Sequence, residues 1–113
     1  MIRTKRVYEP PAAEDGTRVL VDRLWPRGVS KEDARIDWWA RELAPSDKLR
    51  RWFGHAPLRY REFVDRFRLE LDSSEAIARL KTLASENTVT LVYAALDERH
   101  NNARALVEIL RSR

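Results

Sequence analysis

Two short apolar runs limit what this chain can become. Arg18-Val19-Leu20-Val21-Asp22 and Thr88-Val89-Thr90-Leu91-Val92-Tyr93-Ala94 are rich in branched apolar residues and are bounded by turn or polar signals. Runs of this kind suit strands buried on both faces, as in a parallel sheet. The residues between them, 23–87, carry mainly helical periodicity. A strand that returns to its sheet through helices normally runs parallel to its predecessor, with a right-handed crossover. The expectation is an α/β fold: a small, mostly parallel sheet with helices packed on it, forming one domain over residues 1–113. A chain of 113 residues buries a real but modest core.

The remaining elements follow from local signals. Ile2 to Tyr8 alternates weakly and predicts a first strand, ended by Pro10 and Pro11. Ser30 is placed to cap one helical turn, with Asp33 as the returning acid. Arg35 to Trp39 reads as a short extended piece. Ser46 and Gly54 bracket a helix that runs to Phe53. Pro57 suits a helix first turn. Tyr60, Phe63, Val64, Phe67 and Leu71 then recur with the spacing of one buried helix face. Asp72 with Glu75 predicts a capping box before a helix carrying Ile77, Leu80 and Leu83, which Asn87 ends. A last helix carries Ala103, Leu106, Val107 and Leu110 on one face, with arginines near its C-terminus where the helix dipole favours them.

Composition removes several chemistries. The chain has no cysteine, so disulfides, thiolate nucleophiles, zinc–thiolate sites and iron–sulfur clusters are excluded. Its three glycines cannot build a P-loop or a dinucleotide-binding loop. Asp97 and His100 stand three apart, but His55 is the only other imidazole and nothing in the sequence ties it to them, so no metal is expected. No cofactor is indicated. No apolar run approaches the roughly 20 residues that span a membrane, and the basic N-terminus lacks the apolar stretch of a signal peptide. A cytoplasmic location is expected. The net charge of +4 comes from 22 basic and 18 acidic residues interspersed along the chain, which steers anions only weakly. Arg59, Arg61, Arg66 and Arg68 alternate with Glu62, Asp65 and Glu70, the pattern of an ion-paired helix face.

Ligands of open α/β sheets bind beyond the carboxyl ends of the strands. Two polar loops leave the two best strands, and parallel strands put both on one edge. In the first, Asp22-Arg23-Leu24-Trp25-Pro26-Arg27-Gly28, the guanidinium forks of Arg23 and Arg27 suit phosphate or carboxylate. Trp25 offers a flat face. Asp22 can orient an arginine or accept a ligand hydroxyl. A structural Asp22–arginine pair with Trp25 as a core plug gives the same pattern. The second loop, Asp97-Glu98-Arg99-His100-Asn101-Asn102, precedes a helix N-terminus that attracts anions. His100 can serve as a general acid or base. Asp97, Asn101 and Asn102 are equally explained as helix caps. The ligand-binding candidates are therefore Asp22, Arg23, Trp25, Arg27, Asp97, His100, Asn101 and Asn102. Asp22 and His100 are the candidates for catalysis. Trp38 and Trp52 suit core packing, and Trp39-Ala40-Arg41-Glu42 can wall the same pocket.

The run Val19-Leu20-Val21-Asp22-Arg23-Leu24-Trp25-Pro26-Arg27-Gly28 also resembles the signature of the YeaO-like bacterial proteins of domain-of-unknown-function family 488. The similarity continues through Ala44-Pro45-Ser46, Leu49-Arg50, Trp52-Phe53-Gly54-His55, Leu91-Val92-Tyr93-Ala94-Ala95 and His100-Asn101-Asn102-Ala103, across almost the whole chain. The resemblance implies an α/β fold and a bacterial cytoplasmic protein, and it implies no established activity. Relatives often carry lysine where Leu96 stands, which weakens a phosphate–lysine role. More distant members carry cysteines in the second loop region, where this chain has Tyr93 and Asn101, so a thiol mechanism does not carry over.

Three functional expectations remain, and they leave open whether the protein is an enzyme. The first is a pocket for a small anionic or nucleotide-like ligand at the carboxyl edge of the sheet, with or without catalysis. The second is a nucleic-acid-binding module, suggested by the basic balance. The third is a non-catalytic homo-oligomeric interaction protein anchored by tryptophans.

Overall fold

A computed structural model describes residues 1–112. Four strands share one sheet: β1 (Ile2–Arg6), β2 (Thr17–Leu20), β3 (Trp38–Trp39) and β4 (Val89–Tyr93). Five α-helices accompany them: α1 (Lys31–Ala34), α2 (Asp47–Phe53), α3 (Tyr60–Glu70), α4 (Glu75–Glu86) and α5 (Asn102–Arg111). The spatial order is β1-β4-β2-β3 and every pairing is parallel. The fold is therefore α/β, as the two apolar runs require.

Strand β4 occupies the centre. Val89 lies opposite both Ile2 of β1 and Thr17 of β2, and Val92 lies opposite Lys5 and Leu20. All five of its residues are buried, because each face of the sheet is covered. Side chains alternate between those faces along a strand. Val19, Val21, Val89, Leu91 and Tyr93 join the larger core with helix residues such as Phe63, Phe67, Leu80 and Leu106. Leu20 and Val92 point the other way, into a smaller cluster with Val7 and Ala34, against which Trp25 and Trp39 pack.

The second face also holds a buried charge cluster. Asp15 is 2.6 Å from Arg18 and 3.1 Å from Lys5, and the Thr90 hydroxyl donates to the Asp15 carbonyl. Arg18 Nε donates to the carbonyl of Ala34. Burial works to raise the Asp15 carboxyl, but the Ala12 N–H and the cations of Lys5 and Arg18 outweigh it and hold the group below its ordinary value. The turn into β2 needs a glycine. Gly16 has φ 64°, and a Cβ there would stand 2.2 Å from the Thr88 carbonyl oxygen.

Local signals set most helix ends. Ser30 and Ser46 accept from Asp33 N–H and Leu49 N–H, and Gly54 closes α2 in the left-handed region. The capping box expected at Asp72 and Glu75 does not open α4. Ser74 holds the N-cap position there, because the N–H groups of Leu71, Asp72 and Ser74 are taken by carbonyls at and just beyond the end of α3. The arginines of α3 are largely engaged: Arg66 pairs with Glu62 and Arg61 with Glu108. Among the described residues, no helix is long and apolar enough to cross a membrane.

Candidate functional site

Because β2 and β4 run parallel, the loops that follow them open on one edge of the sheet. Between those loops lies a cavity of about 680 Å³. Asp22, Arg23, Trp25 and Arg27 line it from the first loop, and Asp97, Asn101 and Asn102 line it from the second. His100 does not line it.

Asp22 ties the two loops together. Its Oδ2 accepts the Ala94 N–H at 2.9 Å, and its Oδ1 accepts the Asn102 side-chain amide at 3.1 Å. The same amide donates to the Val21 carbonyl at 2.8 Å, and Trp39 Nε1 donates to the Asp22 carbonyl. Asp22 thus continues the β2–β4 ladder with its side chain and clasps the start of α5. Burial pushes its carboxyl up, against the bonds from Asn102 and Ala94 and the nearby charge of His55. The Asp22–arginine pair considered from the sequence does not form. Arg23 turns instead to α2, with Nε 3.6 Å from Asp47 and Nη2 3.4 Å from the Pro45 carbonyl. Asp22 is held inward by donors fixed to β4 and α5, while the half-exposed Arg23 side chain turns to the start of α2.

The second loop is organised by Asp97 and Asn101. Asp97 Oδ1 accepts the N–H groups of Arg99 and His100, and Oδ2 lies 3.0 Å from His100 Nδ1. The Arg99 N–H and the His100 ring hold the Asp97 carboxyl below its ordinary value. Asn101, only 2% exposed, caps α5 by accepting Arg104 N–H, and its amide donates to the Asp97 carbonyl. The capping role foreseen for this loop thus falls to Asn101, while Asn102 links the two loops. His100 packs edge-on to Tyr60, ring centroids 5.1 Å apart, and Tyr60 donates to Glu108. That cluster joins α3 to α5 outside the cavity.

Trp25 donates from Nε1 to the Val29 carbonyl at 2.7 Å and sits edge-on to Trp39 at 5.3 Å. It is both a plug on the second face of the sheet and a wall of the cavity. The Arg27 guanidinium has no hydrogen-bond or ion-pair partner among the described residues; only its carbonyl is engaged, by the Tyr8 hydroxyl. Trp39-Ala40-Arg41-Glu42 does not wall this cavity. Arg41 stacks over Trp39 at 3.7 Å, and Trp38 and Glu42 line a separate hollow with Glu75 and Arg79.

Sequence reasoning missed the third wall. Ala44, Pro45, Arg50, Phe53, His55 and Phe63 bring α2 and α3 to the cavity, and Leu96 flanks its mouth. His55 is now tied to the second loop through this shared space. It has φ 56°, one of two non-glycine residues in the left-handed region among the described residues, a conformation that costs on the order of 1 kcal/mol. Its ring lies tilted against Phe53 at 6.3 Å. The available signal was a histidine directly after a helix-stopping glycine. Among the described residues, no group of three or more metal-ligating side chains is placed to hold an ion.

The cavity has a mainly apolar interior, three arginines and a histidine at its wall, and two carboxylates, Asp22 and Asp97, each of whose oxygens already has at least one partner within the protein. The positive charge at the wall therefore comes from Arg23, Arg27 and Arg50, which belong to different segments of the chain.

Comparison with known proteins is consistent with the resemblance seen in the motifs. The uncharacterized protein YeaO of Escherichia coli K12 is 41% identical over 112 residues, covering 98% of this chain and 97% of the relative. The uncharacterized protein Rv3073c of Mycobacterium tuberculosis H37Rv is 42% identical over 112 residues, covering 99% and 95%. The uncharacterized protein Mb3100c of Mycobacterium bovis matches to the same extent. No solved structure matches the chain. The family match spans residues 1–113, and on it the chain belongs to the family described as the inactive DUF488-N3 subclade.

Proposed function

We propose that this protein binds a small organic anion, up to nucleotide size, in the cavity between the Asp22 and Asp97 loops, and that it holds the ligand without turning it over. The observation that carries the reading is the convergence of Arg23, Arg27 and Arg50 on one apolar cavity at the carboxyl edge of a parallel sheet. A volume of about 680 Å³ suits a drug-sized ligand. Forked guanidinium groups suit carboxylate or phosphate.

Two observations favour binding over catalysis. Asp22 has both oxygens committed to Ala94 and Asn102, and His100 faces Tyr60 and Asp97 rather than the cavity. The subclade's description as inactive agrees. The ion pairs of Arg61 and Arg66 weigh against a nucleic-acid stripe on α3.

Thermal unfolding with a panel of nucleotides and organic acids tests the proposal. A ligand present at ten times its Kd adds about 1.4 kcal/mol, a rise of roughly 6 °C for a chain of this size. The Arg23→Ala, Arg27→Ala double variant is expected to lose that rise. Equal responses in both proteins, or no response to any anion, would refute the proposal.

A further inference from the structure

We propose that Asp47 is a built-in stand-in for the ligand's anionic group, and that the group it replaces is the carboxylate of a small aromatic acid. This inference rests on the binding pocket proposed above and names its ligand class.

Arg23 follows β2 and Arg50 lies on α2, so the two come from separate elements. Both line the cavity, and both turn to the same oxygen of Asp47, which is not part of the cavity wall. The separations are 3.6 Å to Arg23 Nε and 3.5 Å to Arg50 Nη2. Charge-assisted bonds normally close to about 2.7–2.9 Å. The Asp47 side chain is 56% exposed, and exposed pairs of this kind are weak. Arg23 has one further partner, the Pro45 carbonyl at 3.4 Å from Nη2, so Asp47 and that carbonyl keep the two forks oriented without saturating either. A carboxylate arriving from the cavity side meets both at shorter range and releases Asp47 to water. Arg27, which has no side-chain partner among the described residues, adds a third cation at the wall.

The body of the ligand follows from what the rest of the wall has left to offer. Asp22, Asp97, Asn101 and Asn102 already bond within the protein. Sugar hydroxyls and base edges would find few open partners among them, and a buried polar group without a partner is costly. Apart from the three arginines and His55, what remains is apolar. Phe53 and Phe63 stack with centroids 4.3 Å apart at 16°, Trp25 stands on the opposite loop, and Leu24 and Leu96 flank the cavity at 71% and 85% exposure. An aromatic ring between these walls places its carboxylate at Arg23 and Arg50, with Arg27 and His55 left at the rim of the same lining.

Isothermal titration calorimetry of the full chain separates the possibilities. The probes are 2-naphthoate, AMP and inorganic phosphate. The proteins are wild type, Asp47→Asn, Asp47→Ser as a second way of removing the charge, and Arg23→Ala with Arg50→Ala. The expected result is binding of 2-naphthoate in preference to AMP and phosphate, roughly three- to tenfold tighter in both Asp47 variants, and lost in the double alanine variant. Binding that is unchanged or weaker in both folded Asp47 variants overturns the stand-in role. Arginine-dependent binding of AMP or phosphate with no binding of 2-naphthoate overturns the ligand class and leaves the pocket standing. Failure of all three probes overturns the class, and an empty response across the wider anion panel removes the pocket as well.

Discussion

Replacing Asp22 by alanine should unfasten the carboxyl edge of the sheet. The side chain accepts two bonds, from Ala94 N–H at 2.9 Å and from the Asn102 amide at 3.1 Å. Bonds to a charged acceptor contribute about 1.5–3 kcal/mol each. Removing the carboxylate strips Ala94 N–H of its partner and leaves Asn102 with the Val21 carbonyl alone. Part of that loss is offset, because the carboxylate is itself disfavoured by burial, which pushes it up. The net expectation is about 2–3 kcal/mol, or a Tm fall of roughly 8–12 °C. Asp22→Asn keeps the shape and one acceptor, so it should cost less, on the order of 1 kcal/mol. The pH dependence has a definite sign. A carboxyl whose folded value is raised is favoured in its neutral form by the folded state. Its stabilising contribution is full below the unfolded value, about 3.9, and is lost as pH rises through the folded value. Wild type should therefore gain on Asp22→Asn as pH falls from 7 toward 4. Urea titrations followed by tryptophan fluorescence at a series of pH values read both effects, with Cm and m fitted separately. An Asp22→Ala protein within about 0.5 kcal/mol of wild type, or a gap that widens toward high pH, would refute the reasoning.

The opposite pole of the sheet should behave in the reverse sense. Asp15 is held low by Ala12, Lys5 and Arg18 against the effect of its burial, so its contribution is present above the unfolded value and is lost as pH falls. Asp15→Asn should cost about 3 kcal/mol near neutrality, with the difference narrowing below about pH 4 in the same urea titrations. Gly16→Ala should prevent stable folding, since its Cβ would lie 2.2 Å from a backbone oxygen at positive φ. Gly54→Ala, also at positive φ but with its nearest contact at 3.5 Å, should cost only about 1 kcal/mol, and circular dichroism melts distinguish the two.

Much of the fold was legible because it depends on local rules. The β-branched runs announced β2 and β4, and Ser46 with Gly54 bracketed α2 to the residue. The strand order was not legible. Nothing local tells β4 to insert between β1 and β2, since that placement is decided by which arrangement buries Val89, Leu91 and Val92 on both sides at once. The same divide runs through the site. Two loops on one edge follow from parallel strands, and both were found in advance. The partners of Asp22 and Arg23 were not, because a carboxylate and an arginine adjacent in sequence point where their strand and loop geometry sends them. Phe53 and Phe63 look like ordinary core residues by helical spacing, and they are; the cavity borrows their edges. His55 lay outside every periodic pattern, and only its left-handed backbone sets it apart.

The position of β4 has a consequence for how the protein is made. Strands β1 and β2 bond to β4 and not to each other, so the first two strands to leave the ribosome have no common partner until residues 89–93 emerge. Until then Val19 and Leu20 have a strand neighbour on one side only, Trp38 and Trp39 of β3. Synthesis proceeds at about 5–20 residues per second, so that interval lasts several seconds. Over that interval the apolar strand residues are open to chaperones and proteases, because helices as short as these are marginal without the sheet to pack on. The β1–β4 and β2–β4 pairings, and with them the bond from Ala94 that fastens Asp22, require β4 and are therefore late by topology.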